Sequence, residues 1–299
     1  MSERLEDLAA SWRRDLRAAD KADRTIELYG QSVRFFSDWL IANDRPTTAD
    51  QLTKHAIAGW LADLRDKGQS GNTLSTRYRG LKRFCRWLVA EGELVDDPMA
   101  GLEKPKGTAK PVDVLTDDEI ERLFKVTGGA EFADRRDHAI LRVLFDCGVR
   151  ISEVSELRLE DVDLTDHDVL HVIGKGRKPR TVPFGAKTGR ALDRYRRVRG
   201  AHRFADDPKF FLTQRGGMSR DGIDDMLRSR ALQASVDNLH AHRFRHTAAH
   251  RWLAAGGQER DLMRLMGWSS DAMLSHYGSS AADERARDAF RRMKLGDRL

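Results

Sequence analysis

Residues 96–111 read DDPMAGLEKPKGTAKP, a stretch with Pro98, Pro105, Pro111, Gly101 and Gly107 and no hydrophobic periodicity. Proline fixes φ and removes a backbone donor, so neither a helix nor an inner strand is expected to run through such a segment. The break divides a 299-residue chain into parts of about 95 and 190 residues, each long enough to bury its own core. The sequence therefore predicts two domains, 1–95 and 112–299, joined by a linker at 96–111.

The first part carries four apolar stripes at helical spacing. They are Leu5, Leu8, Ala9, Trp12 and Leu16; Ile26, Tyr29, Val33, Phe36 and Trp39 or Leu40; Ile57, Trp60, Leu61 and Leu64; and Leu74, Tyr78, Leu81, Phe84 and Leu88. Gly68 and Gly92 stop the last two. Beyond the break, Thr116 and Glu119 form a capping box, and an apolar helix is expected from about Asp137 to Cys147, ended by Gly148. VLHVI and RTVPF, separated by GKGRKP, predict a β-hairpin. Helical patterns resume from Ala186. The expected fold is mainly α: a four-helix N-terminal domain, then a mixed α domain with a small β-sheet.

No apolar run approaches the roughly 20 residues that span a bilayer, and the start MSERLEDLAASWRRDL mixes charges into its apolar positions. A cytosolic chain with no membrane partner is expected. The two cysteines, Cys85 and Cys147, sit inside apolar helical patterns, so they are read as buried small hydrophobes and not as a disulfide or zinc framework. Lys and Arg outnumber Asp and Glu by 53 to 47, a net charge of +6, which makes a polyanion partner plausible without proving one. On the fourth helix Arg79, Arg83 and Arg86 lie opposite the apolar stripe and, with Arg77 and Lys82, are expected to make one basic, phosphate-binding surface. The basic run RYRRVRGAHR (194–203) reads equally as an exposed helix end.

Four segments bear on chemistry: GVRISEV (148–154), VIGKGRKPRTVPF (172–184), HAHRFRHTAAH (240–250) and LMGWSSDAMLSHYG (265–278). Singly, each has an ordinary reading: a solvated arginine, an exposed turn lysine, a packed histidine, a surface tyrosine. In this order, after an all-α domain and a linker, they resemble the tyrosine recombinases, the phage integrase family, over nearly the whole chain. The resemblance makes 1–95 a core DNA-binding (SAM-like) domain and 112–299 a catalytic domain with a C-terminal tail helix.

It also implies that Arg150 and Arg245 clamp a scissile phosphate, that Lys175 on the hairpin is the general acid and His242 the base, and that Tyr277 is the nucleophile. Trp268 stands where many members carry histidine. The chemistry fits these residue types. Planar guanidiniums pair with the non-bridging oxygens that gain charge, and a phenol needs an acceptor and a cationic surround to attack phosphorus. An indole N–H can hold an oxygen but cannot shuttle a proton. Glu153, three residues after Arg150, is read as a support for the guanidinium.

No metal or other cofactor is implied, because arginines and a lysine supply the charge. A rival metal face of His242, His246 and His250 fails on geometry: eight helical positions span about 12 Å, too far for one ion. The implied partners are double-stranded DNA with inverted-repeat sites and a homotetramer on two sites, a dimer per site, with an accessory or partner recombinase left open. The implied activity is site-specific recombination through a 3′-phosphotyrosine in the nucleoid-containing cytoplasm. Trp268 tilts the reading toward a mobile-element or phage integrase. Chromosome-dimer resolution, a type IB topoisomerase-like activity and a silent DNA-binding protein stand as alternatives. Apolar positions Ala286, Ala289 or Phe290, and Met293 predict an amphipathic tail helix; the resemblance implies that it docks on a neighbouring protomer, with packing on its own domain as the alternative.

Overall fold

A computed structural model describes residues 3–107, 113–174, 176, 178–271, 274, 287 and 290–293. The chain divides into two compact units, Met1–Lys110 and Pro111–Leu299.

The first unit holds α1 (Leu5–Ala18), α2 (Asp23–Ala42), α3 (Lys54–Asp66) and α4 (Gly71–Glu91), the four helices that the apolar stripes predict. Thr53 and Ser70 cap α3 and α4 by accepting from the Ala56 and Thr73 amides, and Gly92 ends α4 in the left-handed conformation. The stripes turn inward as a shared core of Leu5, Leu8, Trp12, Val33, Phe36, Ile57, Trp60, Leu81, Phe84 and Leu88. Trp12 tilts against Phe84, and Phe36 meets Trp60 edge-on. Gly80 is the contact between α2 and α4: a Cβ there would lie 2.7 Å from Cβ of Ser32, so a larger residue would force the helices apart. The first half of the segment expected to be a linker packs on this unit. Met99 is wholly buried in its core and Tyr78 Oη donates to the Leu102 carbonyl at 2.7 Å. Apolar anchors two or three residues apart leave no periodic trace. Residues 108–111 of that segment lie outside the described residues.

The second unit begins with α5 (Asp117–Val126), α6 (Phe132–Cys147) and α7 (Ile151–Glu156). An antiparallel sheet follows, in the order β1 (Val162–Asp163), β2 (Val169–Ile173), β3 (Pro179–Pro183). Then come α8 (Ala186–Arg199), the two-residue strands β4 (Leu212–Thr213) and β5 (Gly216–Gly217), α9 (Arg220–Ala234), α10 (Ala241–Ala254) and α11 (Glu259–Met266). The capping box at α5 is present: the Thr116 amide donates to Glu119 and the Glu119 amide to Thr116 Oγ1. Helix α6 starts five residues before the expected Asp137, because its first turns are polar and are held by ion pairs instead of an apolar stripe. Arg230 bridges Asp134 and Asp137 at 2.8 Å each.

In the hairpin, Leu170 faces Val182 across the register and both are buried. The Gly174 amide closes its tip by donating to the Lys178 carbonyl at 2.8 Å. The basic run after Arg194 is partly structural, since Arg199 is buried and donates to four backbone carbonyls, those of Ala205, Asp207, Lys209 and Phe210. Cys85 and Cys147 are both buried and free, as expected.

His138 of α6 sits 3.0 Å from Thr127 Oγ1, which donates onward to the Leu123 carbonyl, while Arg142 donates to the other ring nitrogen. An accepting Nε2 requires a neutral imidazole. Burial, reinforced by Arg142 and Arg194, lowers its pKa to about 4. The unfolded chain takes up a proton near pH 6.5 that the folded protein refuses until about pH 4, so stability falls as the pH drops through that window. His138→Phe is expected to flatten the pH dependence of Tm between pH 6.5 and 4. An unchanged slope in calorimetric scans would count against this assignment.

Candidate active site

Gly148 ends α6 with φ +58°, and the chain turns at once into α7, with Arg150 at its N-cap in extended geometry. The reversal needs a residue that tolerates the left-handed region, and a Cβ here would also come within 2.6 Å of Met266 Cε. Glu153, at the third position of α7, accepts from the Arg150 amide at 2.7 Å and from Arg150 Nη1 at 2.9 Å. Glu153 thus touches the Arg150 guanidinium, with the arginine at the cap and not within the helix.

Glu153 has a second partner that the motif reading missed. Arg180, on β3, meets it with both terminal nitrogens, Nη1 to Oε1 at 2.7 Å and Nη2 to Oε2 at 2.8 Å, and its Nε donates to the Leu265 carbonyl. Burial alone would raise the Glu153 pKa; hydrogen bonds from Arg180 and from the Arg150 amide, with the charge of Arg180, bring it below the ordinary carboxylate value. The available signal was strand alternation: Arg180 shares the inward face of β3 with Val182.

Arg245, on α10, is one of the largest fully buried side chains in the protein. Its Nη1 donates to the Gly148 carbonyl at 2.7 Å, 97 positions away in sequence, and its Nη2 to the Met266 carbonyl. The guanidinium stands 5.6 Å from the ring centroid of Trp268. Trp268 is itself buried with Ala249, Leu253, Leu262 and Met266 in a small apolar cluster. Arg150 Nη2 reaches the Gly267 carbonyl at 3.4 Å, so the turn after α11 touches both arginines.

His242 lies one helical turn before Arg245 on α10, exposed, with its ring edge-on to His246 at 4.5 Å. His240 is the N-cap of this helix and accepts from the Arg243 amide. Arg243, between the motif residues, is structural and pairs with Asp113 and Glu119. Among the described residues no group of three His, Cys, Asp or Glu side chains is placed to hold a metal ion. Lys175 and Tyr277 lie outside the described residues. The neighbour of Lys175 is informative: a Cβ on Gly174 would come 3.2 Å from Arg180 Nη1 and 3.7 Å from Glu153 Oε1. The hairpin tip therefore begins against the Arg180–Glu153 pair.

On the first unit, Arg79, Arg83 and Arg86 are exposed along α4, with Arg86 within 3.8 Å of Asp97. Lys82 Nζ turns back onto Tyr78 Oη at 3.2 Å. Arg77 does not share this face. Two helical steps place it about 200° around the axis from Arg79, where it stacks on Phe35 of α2 at 4.3 Å and donates to Gln31. Burial, then the charge of Arg34, lowers its pKa. The single basic surface expected from sequence is therefore divided.

Residues 113–284 match the phage integrase family and residues 9–92 the phage integrase N-terminal SAM-like domain. The chain belongs to the phage integrase family, the tyrosine recombinases, enzymes that cleave and rejoin DNA. It is 34% identical over 207 residues to tyrosine recombinase XerC of Oceanobacillus iheyensis, across 67% of each chain. It is 31% identical over 186 residues to XerD of Bifidobacterium longum, across 58% of this chain and 60% of that one. The alignment with XerC of Pseudomonas fluorescens likewise spans 60% of that relative. The fold matches the Tn1549 transposon integrase in complex with a circular intermediate DNA, with TM-score 0.76 at 19% identity over 98% of this chain and 100% of that one. A lambda integrase tetramer bound to a Holliday junction matches with TM-score 0.68 at 17% identity over 90% and 79%.

Proposed function

We propose that this chain is a site-specific recombinase that cleaves and rejoins duplex DNA through a 3′-phosphotyrosine on Tyr277. The observation that carries the reading is the convergence of Arg150 and Arg245 on one turn, through the carbonyls of Met266 and Gly267. Two guanidiniums fixed in this way stabilise the charge that grows on the non-bridging oxygens of a phosphodiester under attack.

Tyr277 Oη forms a bond to phosphorus, its proton passes to His242, and the bond to the 5′-oxygen breaks. Lys175 gives that oxygen its proton. The reverse steps, with a 5′-hydroxyl of the partner duplex as the attacker, restore a phosphodiester and the free tyrosine. Trp268 packs under Arg245 and offers its indole N–H to a phosphate oxygen. Arg79, Lys82, Arg83 and Arg86 track the backbone of the bound duplex. Arg77, stacked on Phe35, serves α2 and α4 first. The exposed Phe290 and Met293 of the tail fit a docking surface for the next protomer in a tetramer on two sites. No helix among the described residues is long and apolar enough to cross a membrane; action on DNA in the cytoplasm follows from the recombinase reading.

Within this class we read the chain as a mobile-element or phage integrase, on Trp268. The relatives named XerC and XerD favour a second reading, chromosome-dimer resolution. Covalent adducts captured from fragmented genomic DNA and sequenced test both. Repeats at the ends of a mobile element support integration, and one recurrent chromosomal repeat supports resolution. Scattered adducts overturn site specificity in favour of a topoisomerase-like enzyme.

The acid has its own test. Lys175→Ala is expected to slow cleavage of ordinary DNA by about 100-fold or more, and far less on DNA with a bridging 5′-sulfur, whose thiolate leaves unprotonated. Equal defects on the two substrates would remove Lys175 from that role.

A further inference from the structure

Arg180 lies in the hairpin segment 172–184 but is given no role by the motif reading, and its three donors tie β3 to Glu153 of α7 and to the end of α11. Nη1 and Nη2 hold Glu153 in a bidentate pair, and Nε holds the Leu265 carbonyl at the end of α11. Its side chain is 11% exposed, and that of Glu153 2%. Glu153 in turn holds Arg150 by both its amide and its guanidinium. We propose that Arg180 is a positioning residue: it fixes the rotamer of Glu153 and the turn 265–268, and so aims Arg150 at the scissile phosphate. This rests on the recombinase reading above.

The geometry supports an indirect role. Arg180 directs its whole guanidinium to protein acceptors, whereas Arg150, 31% exposed, uses one nitrogen on Glu153 and a long 3.4 Å contact on Gly267. Without Arg180, Glu153 has a free oxygen edge and Arg150 can swing to form the bidentate pair itself, away from the substrate. A lysine at 180 keeps the charge but not the fork.

A substrate with a methyl group in place of one non-bridging oxygen tests this, because a methylphosphonate diester is uncharged and its cleavage depends less on cationic clamping. Single-turnover adduct formation is measured for wild type, Arg180→Gln, Arg180→Lys and Arg150→Ala on phosphate and methylphosphonate DNA. The ratio of the two rates is independent of the folded fraction, so a loss of stability does not mimic the effect. Arg180→Gln is expected to lose about 10- to 100-fold on phosphate, as outer-shell partners of charged groups commonly do, and threefold or less on methylphosphonate, as for Arg150→Ala. Arg180→Lys is expected to fall between.

Equal losses on both substrates would overturn the assignment in favour of a structural role. So would rescue by a bridging 5′-sulfur in place of methylphosphonate, which would route Arg180 through the hairpin acid. An unchanged rate on phosphate would overturn it as well. Absence of any adduct from the wild type would overturn the recombinase reading and this assignment with it.

Discussion

Tyr277→Phe is expected to abolish the covalent protein–DNA adduct while changing DNA affinity only a few-fold. The substitution removes one hydroxyl and keeps the ring, so the ground-state complex loses at most one neutral hydrogen bond, worth about 0.5–1.5 kcal/mol. On the proposed mechanism the reaction loses its nucleophile altogether, and no other group replaces the phosphorus–oxygen bond it would have made. The two readouts, adduct on denaturing gels and Kd by equilibrium binding, therefore separate sharply. Adduct formation by the variant would displace Tyr277 as nucleophile. A collapse of binding would mean that its hydroxyl organises the complex before chemistry.

The second large effect is on stability. Glu153→Ala leaves two guanidiniums facing one another without their shared carboxylate, and breaking a buried pair from one side costs about 3–5 kcal/mol. Both arginines lose their partner at once, since the two guanidiniums meet at Oε1 of Glu153 and Arg180 also holds Oε2. Denaturant unfolding of the variant should show that loss, and Arg180→Gln and Glu153→Ala should be strongly non-additive in a double-mutant cycle. A destabilisation under 1 kcal/mol, or simple additivity, would mean that the cluster contributes little to the fold. The pair also has a pH signature. Because the Glu153 pKa is lowered in the folded protein, its stabilisation is complete above the ordinary carboxylate range and is lost as the pH falls below it.

The parts of this protein legible in its sequence are those with long periods or sharp punctuation. The four N-terminal helices follow from stripes that repeat over several turns, and Gly148 and the Thr116–Glu119 box mark ends with local chemistry. The hairpin follows from two β-type runs around a glycine turn. By contrast α7, β1, β4 and β5 span six residues or fewer, too short to show a period. The motifs placed Arg150, His242, Arg245 and Trp268 on candidate chemistry. They put Glu153 beside Arg150 but identified neither Arg180 behind it nor the carbonyls that hold Arg245. Strand alternation can put Arg180 on the inward face of β3 but cannot name its partner, because Glu153 lies 27 positions away and pairings at that range arise from the fold. Arg77 carries the same charge as its neighbours but leaves their face, because two helical steps turn it about 200° from Arg79 and onto α2.

The two arginines differ in what holds them. Arg245 rests on the carbonyls of Gly148 and Met266, acceptors that belong to the main chain and persist through any side-chain replacement at those positions. Arg150 rests on a side chain, which itself rests on another. Mutational decay of this enzyme should therefore be lopsided. On the proposed roles of these arginines, a drifting copy has three separate side chains whose loss disarms the Arg150 arm, at positions 150, 153 and 180, whereas the Arg245 arm fails through its own codon or through a displaced backbone. Inactive copies that keep Arg245 and the α10 helix intact should accordingly outnumber those that keep Arg150, Glu153 and Arg180 together.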